Sequence, residues 1–147
     1  MALDNYRELI HELASFPPQL SAAVANAGEP PEGEWNAAQI LAHLIATDEF
    51  WLERLNLMLT QREPSLRSFA EAAARRAEEL LQDSVEDNLT RFGETRGQIV
   101  SALMSMTLND WDRTGTHPVR GEISITDTVE AIADHDAEHL AQLQSYA

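Results

Sequence analysis

Apolar residues recur with a helical period along most of the chain. In four long segments they lie three and four positions apart, which places them on one face of an α-helix. These segments cover about residues 3–27, 36–62, 85–106 and 124–146. The sequence shows no convincing alternation of the kind typical of strands and no repeat of 20 to 50 residues. The pattern therefore predicts an all-α protein, built as a four-helix bundle.

The first segment contains an expected interruption. Its apolar stripe passes in register through Tyr6 and Leu13, but Pro17 and Pro18 lie in the middle of the segment. Proline has no amide hydrogen and clashes with the preceding turn, so a proline pair does not fit unbent inside a helix. We expect a break or kink there, with Ser15 as a possible cap of a second helical piece.

Capping boxes mark three expected helix starts. In such a box, two side chains three positions apart bond to each other's backbone amides. The candidates are Asn36-x-x-Gln39, Ser68-x-x-Glu71 and Ser124-x-x-Asp127. The middle box lies in an alanine-rich segment, residues 65–82, which we expect to form a short extra helix between the second and third long helices. Residues 107–123 are expected to be a long connection.

Charged residues interrupt the apolar faces of the helices. Asp48, Arg96 and Asp136 fall where the helical period calls for apolar side chains. A buried charge is costly unless it is paired, so we expect a buried ion-pair network around Arg96. Such a network can be purely structural. Alternatively, one aspartate can orient a metal-binding histidine, as carboxylates often do.

Histidines are the candidate chemistry of this chain. His135 and His139 are four residues apart in the last helix, so they lie one turn apart on one face and can bind the same metal ion. His43, in the second long helix, is the candidate third ligand, and Asp48 and Asp136 are candidates for orienting the imidazoles. The alternative is that these histidines are ordinary surface or core residues.

Composition excludes several classes of function. A chain of 147 residues with 44% apolar residues fits one domain, residues 1–147, with a sizeable core. Ten arginines, no lysine and 25 acidic residues give a net charge of −15, which disfavours binding to nucleic acid or to an anionic membrane. The N-terminus has no signal-peptide pattern and the chain has no cysteine, so we expect a cytoplasmic protein. Without cysteine or lysine, neither a thiolate nucleophile nor a Schiff base is available.

Three segments resemble the DinB/YfiT-like superfamily of metalloproteins. They are the tryptophan, helix start and first histidine (residues 34–44), the stretch before the last helix (116–124) and the paired-histidine helix (132–143). The resemblance implies a four-helix bundle with a divalent transition metal, Zn²⁺ or Ni²⁺, bound by His43, His135 and His139. Imidazole nitrogen suits both metals.

The resemblance also implies a homodimer. Trp51, Leu57 and Met58 lie off the main apolar stripe of the second long helix and can cover a second apolar surface, which agrees with that expectation.

The leading expectation for function is a metal-dependent thiol S-transferase, because characterised members of the resembling family use low-molecular-weight thiols. In such a reaction the metal lowers the pKa of the thiol that attacks a small-molecule substrate. The alternatives are a metal-dependent hydrolase, which activates water instead, and a non-catalytic metal- or ligand-binding module of a stress response. His117 and Arg120 are candidates for contact with an anionic substrate.

Overall fold

The computed structural model describes residues 3–147. It contains five α-helices, one short 3-10 helix and one β-hairpin, in the order α1 (Leu3–Asn26), α2 (Ala37–Thr60), α3 (Ala70–Leu80), α4 (Val85–Met104), the 3-10 helix (Leu108–Asp112), β1 (Thr114–His117), β2 (Gly121–Ser124) and α5 (Ile125–Gln144). Met1 and Ala2 lie outside the described residues. They are the first residues of the N-terminal segment that shows no signal-peptide pattern.

The four long helices form a bundle, as predicted. Helices α1 and α2 each pack against α4 and α5, and the short α3 packs against α2. Fully buried residues such as Leu13, Leu55, Ile99 and Ile132 fill the space between the helices. Burying each of these side chains contributes about 1.5–3 kcal/mol before the entropy of folding is counted. In the described part of the chain, every helix is too short or too polar to cross a bilayer.

Two of the predicted capping boxes are present. At the start of α2, the Asn36 side chain accepts the Gln39 amide and the Gln39 side chain accepts the Asn36 amide, both at 2.9 Å. Ser124 and Asp127 form the same reciprocal pair at the start of α5, at 3.0 and 2.9 Å. The α5 box matters for the site described below because it fixes where the paired-histidine helix begins.

The capping box predicted at Ser68 is wrong. Helix α3 begins after Phe69, which makes no side-chain capping bond, and the Ser68 hydroxyl lies 3.3 Å from His117 Nε2 instead. The cause is tertiary: the loop before α3 pairs with the hairpin through a bridge between Ser65 and Thr116. That pairing holds Ser68 next to the hairpin and away from the α3 amides.

The predicted break in α1 is also wrong, because the helix continues with Pro17 and Pro18 inside it and Ser15 does not cap a new segment. Pro17 has no amide hydrogen to give to the Leu13 carbonyl. The Arg96 side chain supplies the missing donor, with its Nη1 at 3.0 Å from the Leu13 carbonyl oxygen. A side chain from another helix therefore satisfies the carbonyl that the proline leaves without a partner.

The connection before α5 is more ordered than the sequence indicated. The expectation that the chain has no strands is wrong, since β1 and β2 pair as an antiparallel hairpin with His117 opposite Gly121. Gly121 has φ +75°, a conformation that glycine adopts without steric cost. Each strand has only four residues, too few for a clear alternation. Helix α5 follows β2 directly, so the hairpin lies beside the start of the paired-histidine helix.

Candidate metal centre

The structure brings the three predicted histidines together. Nε2 of His135 lies 2.9 Å from Nε2 of His43 and 3.1 Å from Nε2 of His139. The potential ligand atoms of all three lie within 4.8 Å of one another. Helix α2 contributes one imidazole, and two successive turns of α5 contribute the others. The site therefore depends on how α2 and α5 are held against each other.

Arg96 joins α2 and α5 through two aspartates that lie near these histidines in the sequence. Arg96, from α4, donates to both carboxylate oxygens of Asp48 at 3.0 and 3.1 Å. It also donates to both carboxylate oxygens of Asp136 at 2.7 and 2.9 Å. Asp48 follows His43 on α2, and Asp136 lies between the two histidines of α5. Arg96 is 1% exposed, which confirms the expectation that it is buried and paired.

Arg96 occupies both of the carboxylates that were candidates for orienting the histidines. Among residues 3–147, neither Asp48 nor Asp136 is hydrogen-bonded to an imidazole. Burial raises the pKa of the Asp48 carboxyl to about 6 although Arg96 pulls it down, and burial also raises the pKa of Asp136. One guanidinium therefore provides the single positive charge that stabilises two buried carboxylates.

Gln142 orients His139, a role that the sequence reading missed. Tyr146 must donate its hydroxyl hydrogen to the Trp35 carbonyl oxygen, 2.8 Å away, because a carbonyl can only accept. The Tyr146 oxygen then accepts from Gln142 Nε2 at 3.2 Å, which turns Gln142 Oε1 toward His139 Nδ1 at 2.9 Å. His139 thus carries its hydrogen on Nδ1, and its Nε2 lone pair is available to a metal. The sequence signal was a glutamine three residues after a histidine in a helix.

The electrostatics of the cluster favour neutral imidazoles. Burial, followed by the charge of His139, lowers the pKa of His43 to about 4. Burial, followed by His139, His43 and Arg96, lowers the pKa of His135 to about 3. Metal ligation requires neutral imidazole, so both rings are in the required form near pH 7.

The donor set fits a divalent transition metal. Three imidazole nitrogens suit zinc, nickel, copper or iron, and three protein ligands leave at least one coordination position open. Nδ1 of His135 is buried and has no hydrogen-bond partner among the described residues, which leaves Nε2 as the contacting atom of that ring. The structure therefore supports a metal site at this cluster.

A cavity of about 1030 Å³ adjoins the histidines. Its wall is mostly apolar and is built by α2, α3, α5 and the hairpin. Its lining includes His43, Trp51, Arg54, His117, Arg120 and His135. A second, smaller cavity of about 460 Å³ is bordered by His139, Gln142 and Trp35, so the cluster lies between two openings.

Both residues predicted to contact substrate line the larger cavity. His117 Nδ1 accepts the backbone amides of Val119 and Arg120, each at 3.2 Å, so a neutral His117 carries its hydrogen on Nε2 and can donate it to Ser68. Burial and the charges of Arg54 and Arg120 lower the pKa of His117, which favours that neutral form. His117 thus fixes the hairpin turn that presents Arg120. Arg54 and Ser68 also line this cavity, and neither was predicted from the sequence to contact a substrate.

The apolar residues that agreed with the prediction of a homodimer, Trp51, Leu57 and Met58, do not form an exposed face. Met58 is completely buried and Trp51 is 8% exposed, while Leu57 is half-buried. The homodimer stays a prediction, which sedimentation at micromolar concentration tests.

Comparison with known proteins shows the family. The chain matches the DinB superfamily over residues 4–143. It is 24% identical over 151 residues to a protein of Oceanobacillus iheyensis named "Putative metal-dependent hydrolase", covering 98% of this chain and 86% of that protein. A Bacillus cereus protein of the same name is 26% identical over 145 residues, covering 92% of this chain and 82% of that protein.

The fold also has a solved counterpart. YfiT from Bacillus subtilis, described as a probable metal-dependent hydrolase with an unusual four-helix bundle topology, aligns with a TM-score of 0.87 and 21% identity. The alignment covers 99% of this chain and 87% of YfiT. At this identity the likeness concerns the fold, and it agrees with the arrangement of α1, α2, α4 and α5. The match over residues 4–143 confirms the family that the sequence motifs resemble: the chain belongs to the DinB superfamily.

Proposed function

We propose that the protein is a metal-dependent hydrolase whose divalent metal is bound by His43, His135 and His139. The observation that carries the proposal is the convergence of three imidazole Nε2 atoms beside a cavity large enough for a small-molecule substrate. The relatives named as metal-dependent hydrolases support the same reaction class. Zn²⁺ and Ni²⁺ are the occupants we propose.

In this reaction, the metal and several residues around it have distinct roles. A divalent metal, when bound, supplies a Lewis acid and lowers the pKa of a coordinated water. Gln142 keeps the His139 hydrogen on Nδ1, so that Nε2 faces the site. The Arg96 network holds α2 against α5, and the mostly apolar cavity wall offers a surface for the apolar part of a substrate.

The two buried aspartates do not serve as proton acceptors in this proposal. Asp48 and Asp136 are 1% and 5% exposed and are occupied by Arg96, so a substrate in the cavity does not reach them. The Thr47 hydroxyl, which belongs to a cavity-lining residue, donates to the Leu44 carbonyl within its own helix. The protein's contribution is therefore the ligand set and the shape of the cavity.

The thiol S-transferase expected from the sequence remains a prediction with less support. The relatives named above are called hydrolases, and the cavity residues in the described part of the chain form no group that selects a thiol. The non-catalytic module is the third possibility, which the same assay tests.

A single assay separates the three. Metal-loaded protein is incubated with a panel of carboxylic esters, amides and phosphate esters, each with and without cysteine as a small thiol. Hydrolysis without the thiol, abolished by chelation and restored by Zn²⁺ or Ni²⁺, is the expected result. Product that requires the thiol and contains its sulfur supports the S-transferase instead. Absence of turnover across the panel, with metal bound, favours the non-catalytic module.

A further inference from the structure

Two arginines line the larger cavity without an acidic partner. Among residues 3–147, the arginines that form ion pairs are Arg67, Arg76, Arg91 and Arg96. Neither Arg54 nor Arg120 is within ion-pair distance of a carboxylate, although the chain has 25 acidic residues and only ten arginines. Both border the cavity that adjoins the histidines. Two arginines that no carboxylate pairs with, beside the cavity of so acidic a protein, point to an anion that binds there.

Arg54 is held in place by contacts that do not neutralise it. Its guanidinium lies 4.8 Å from the centre of the Phe69 ring, and its Nη2 donates to the Arg67 carbonyl at 2.8 Å. A carbonyl oxygen uses one donor hydrogen of a guanidinium that has five, so donors remain for a ligand. Arg54 is half-buried on α2, on the same helix as His43.

Arg120 is presented by a constrained turn. Its backbone amide donates to His117 Nδ1 at 3.2 Å, and the next residue, Gly121, has φ +75°. The side chain is exposed, and no hydrogen bond or ion pair of its own holds it among the described residues. Burial, and then the charge of Arg120, lowers the pKa of Arg54, which agrees with the place of both guanidinium groups beside the same cavity.

The rest of the cavity wall suits an apolar body. Alanines of α3 open the space, and Trp51 and Ile123 border it. Three carboxylates also line the cavity. Asp127 is engaged by the Ser124 amide, while Glu78 and Glu122 are exposed and not paired with either arginine. A few charged groups in a mostly apolar pocket are the usual means of orienting a small ligand.

We propose that this cavity binds an organic anion, whose carboxylate or phosphate group is held by Arg54 and Arg120 and whose apolar body lies against the wall that includes Trp51. The role of this anion as substrate rests on the proposed function, whereas its binding does not require the metal. Arginine matches the geometry of both anionic groups, so the ligand panel below distinguishes them.

The test is calorimetric titration of metal-free protein, prepared with a chelator. The probes are 4-phenylbutyrate, phenyl phosphate and the neutral 4-phenylbutyramide. At least one anion is expected to bind about tenfold or more tightly than the amide, as a charge-assisted hydrogen bond allows. Arg54→Gln and Arg120→Gln should each weaken anion binding by about tenfold and leave amide binding unchanged. Arg62→Gln, which alters an exposed arginine outside the cavity, is the matched control.

Several results overturn the proposal: equal binding of anions and amide, absence of binding by both anions, or an anion preference that survives both arginine substitutions. Circular dichroism checks that the variants are folded. Arg120 lies in an exposed turn, where a substitution should not disturb the fold. If Arg54→Gln misfolds, the Arg120→Gln variant alone tests the proposal. Metal content is measured on separate metal-loaded samples. A chain that binds the anion but no metal contradicts the proposed function alone, and a chain that binds metal but no anion contradicts this inference alone.

Discussion

Arg96 donates a hydrogen bond to the Leu13 carbonyl at 3.0 Å, the carbonyl that Pro17 cannot reach because it lacks an amide hydrogen. With the four bonds to Asp48 and Asp136, all five donor hydrogens of the guanidinium are used. These partners lie on α1, α2 and α5, and Arg96 itself lies on α4. One buried side chain thus joins the four helices of the bundle and holds together the two that bear the histidines.

Replacing Arg96 should strongly destabilise the fold. Arg96→Met leaves two buried carboxylates without a counter-charge, and the expected loss in unfolding free energy is roughly 3–5 kcal/mol. Urea denaturation at pH 7.5 measures it, with Arg75→Met, at an exposed position of α3, as the control. A loss below about 1 kcal/mol, the range of exposed ion pairs, would contradict the structural role of the network.

Acidification should destabilise the metal-free protein through His43 and His135. Their folded-state pKa values, about 4 and about 3, lie below the ordinary histidine value, so the unfolded chain takes up protons first as pH falls below about 6.5. The stability that these two histidines contribute is complete above pH 6.5 and is lost as pH falls toward 4. Asp48, whose pKa is raised to about 6, acts in the opposite direction, so a comparison with a variant is needed.

The comparison uses the double variant His43→Asn, His135→Asn. Its unfolding free energy should fall less between pH 7 and pH 5 than that of the wild type, both measured by urea denaturation with chelator present. Parallel pH profiles for the two proteins would show that the imidazoles do not titrate as the structure indicates.

Gln142 should influence metal affinity without touching the metal. Gln142→Leu removes the acceptor of the His139 Nδ1 hydrogen, and loss of such a partner typically weakens metal binding 10- to 100-fold. Competition titration with a chromophoric chelator measures the change. Gln144→Leu, at an exposed position of the same helix, is the matched control. Equal metal affinities for the Gln142 variant and the wild type would contradict the orienting role of this side chain.

Much of the site could be predicted because its residues break a local pattern. His135 and His139 have helical spacing, and Arg96, Asp48 and Asp136 interrupt apolar stripes, so their inward position follows from periodicity. The bundle follows from the same stripes, and the boxes at α2 and α5 follow from local side-chain chemistry.

The features that escaped prediction depend on contacts between distant parts of the chain. Helix α1 continues through Pro17 and Pro18, and Arg96, 83 residues beyond Leu13, supplies a donor to the Leu13 carbonyl. Ser68 leaves its expected capping position because the loop before α3 pairs with β1. The hydrogen bonds that orient Gln142 depend on Tyr146, whose hydroxyl binds the carbonyl of Trp35, 111 residues earlier. Local propensity contains no information about such partners.

The central claim is that His43, His135 and His139 bind one divalent metal, and metal content together with thermal stability tests it most directly. Wild type should contain one metal ion per chain, and its melting temperature should rise with added Zn²⁺ or Ni²⁺, by an amount equivalent to about 2.7 kcal/mol at a hundredfold excess over Kd. His139→Ala should stay folded, bind no metal tightly and melt at the same temperature with or without it. His11→Ala, at an exposed position of α1, should behave as wild type. If wild type and His139→Ala contain equal amounts of metal and melt alike under both conditions, the three histidines do not form a metal site.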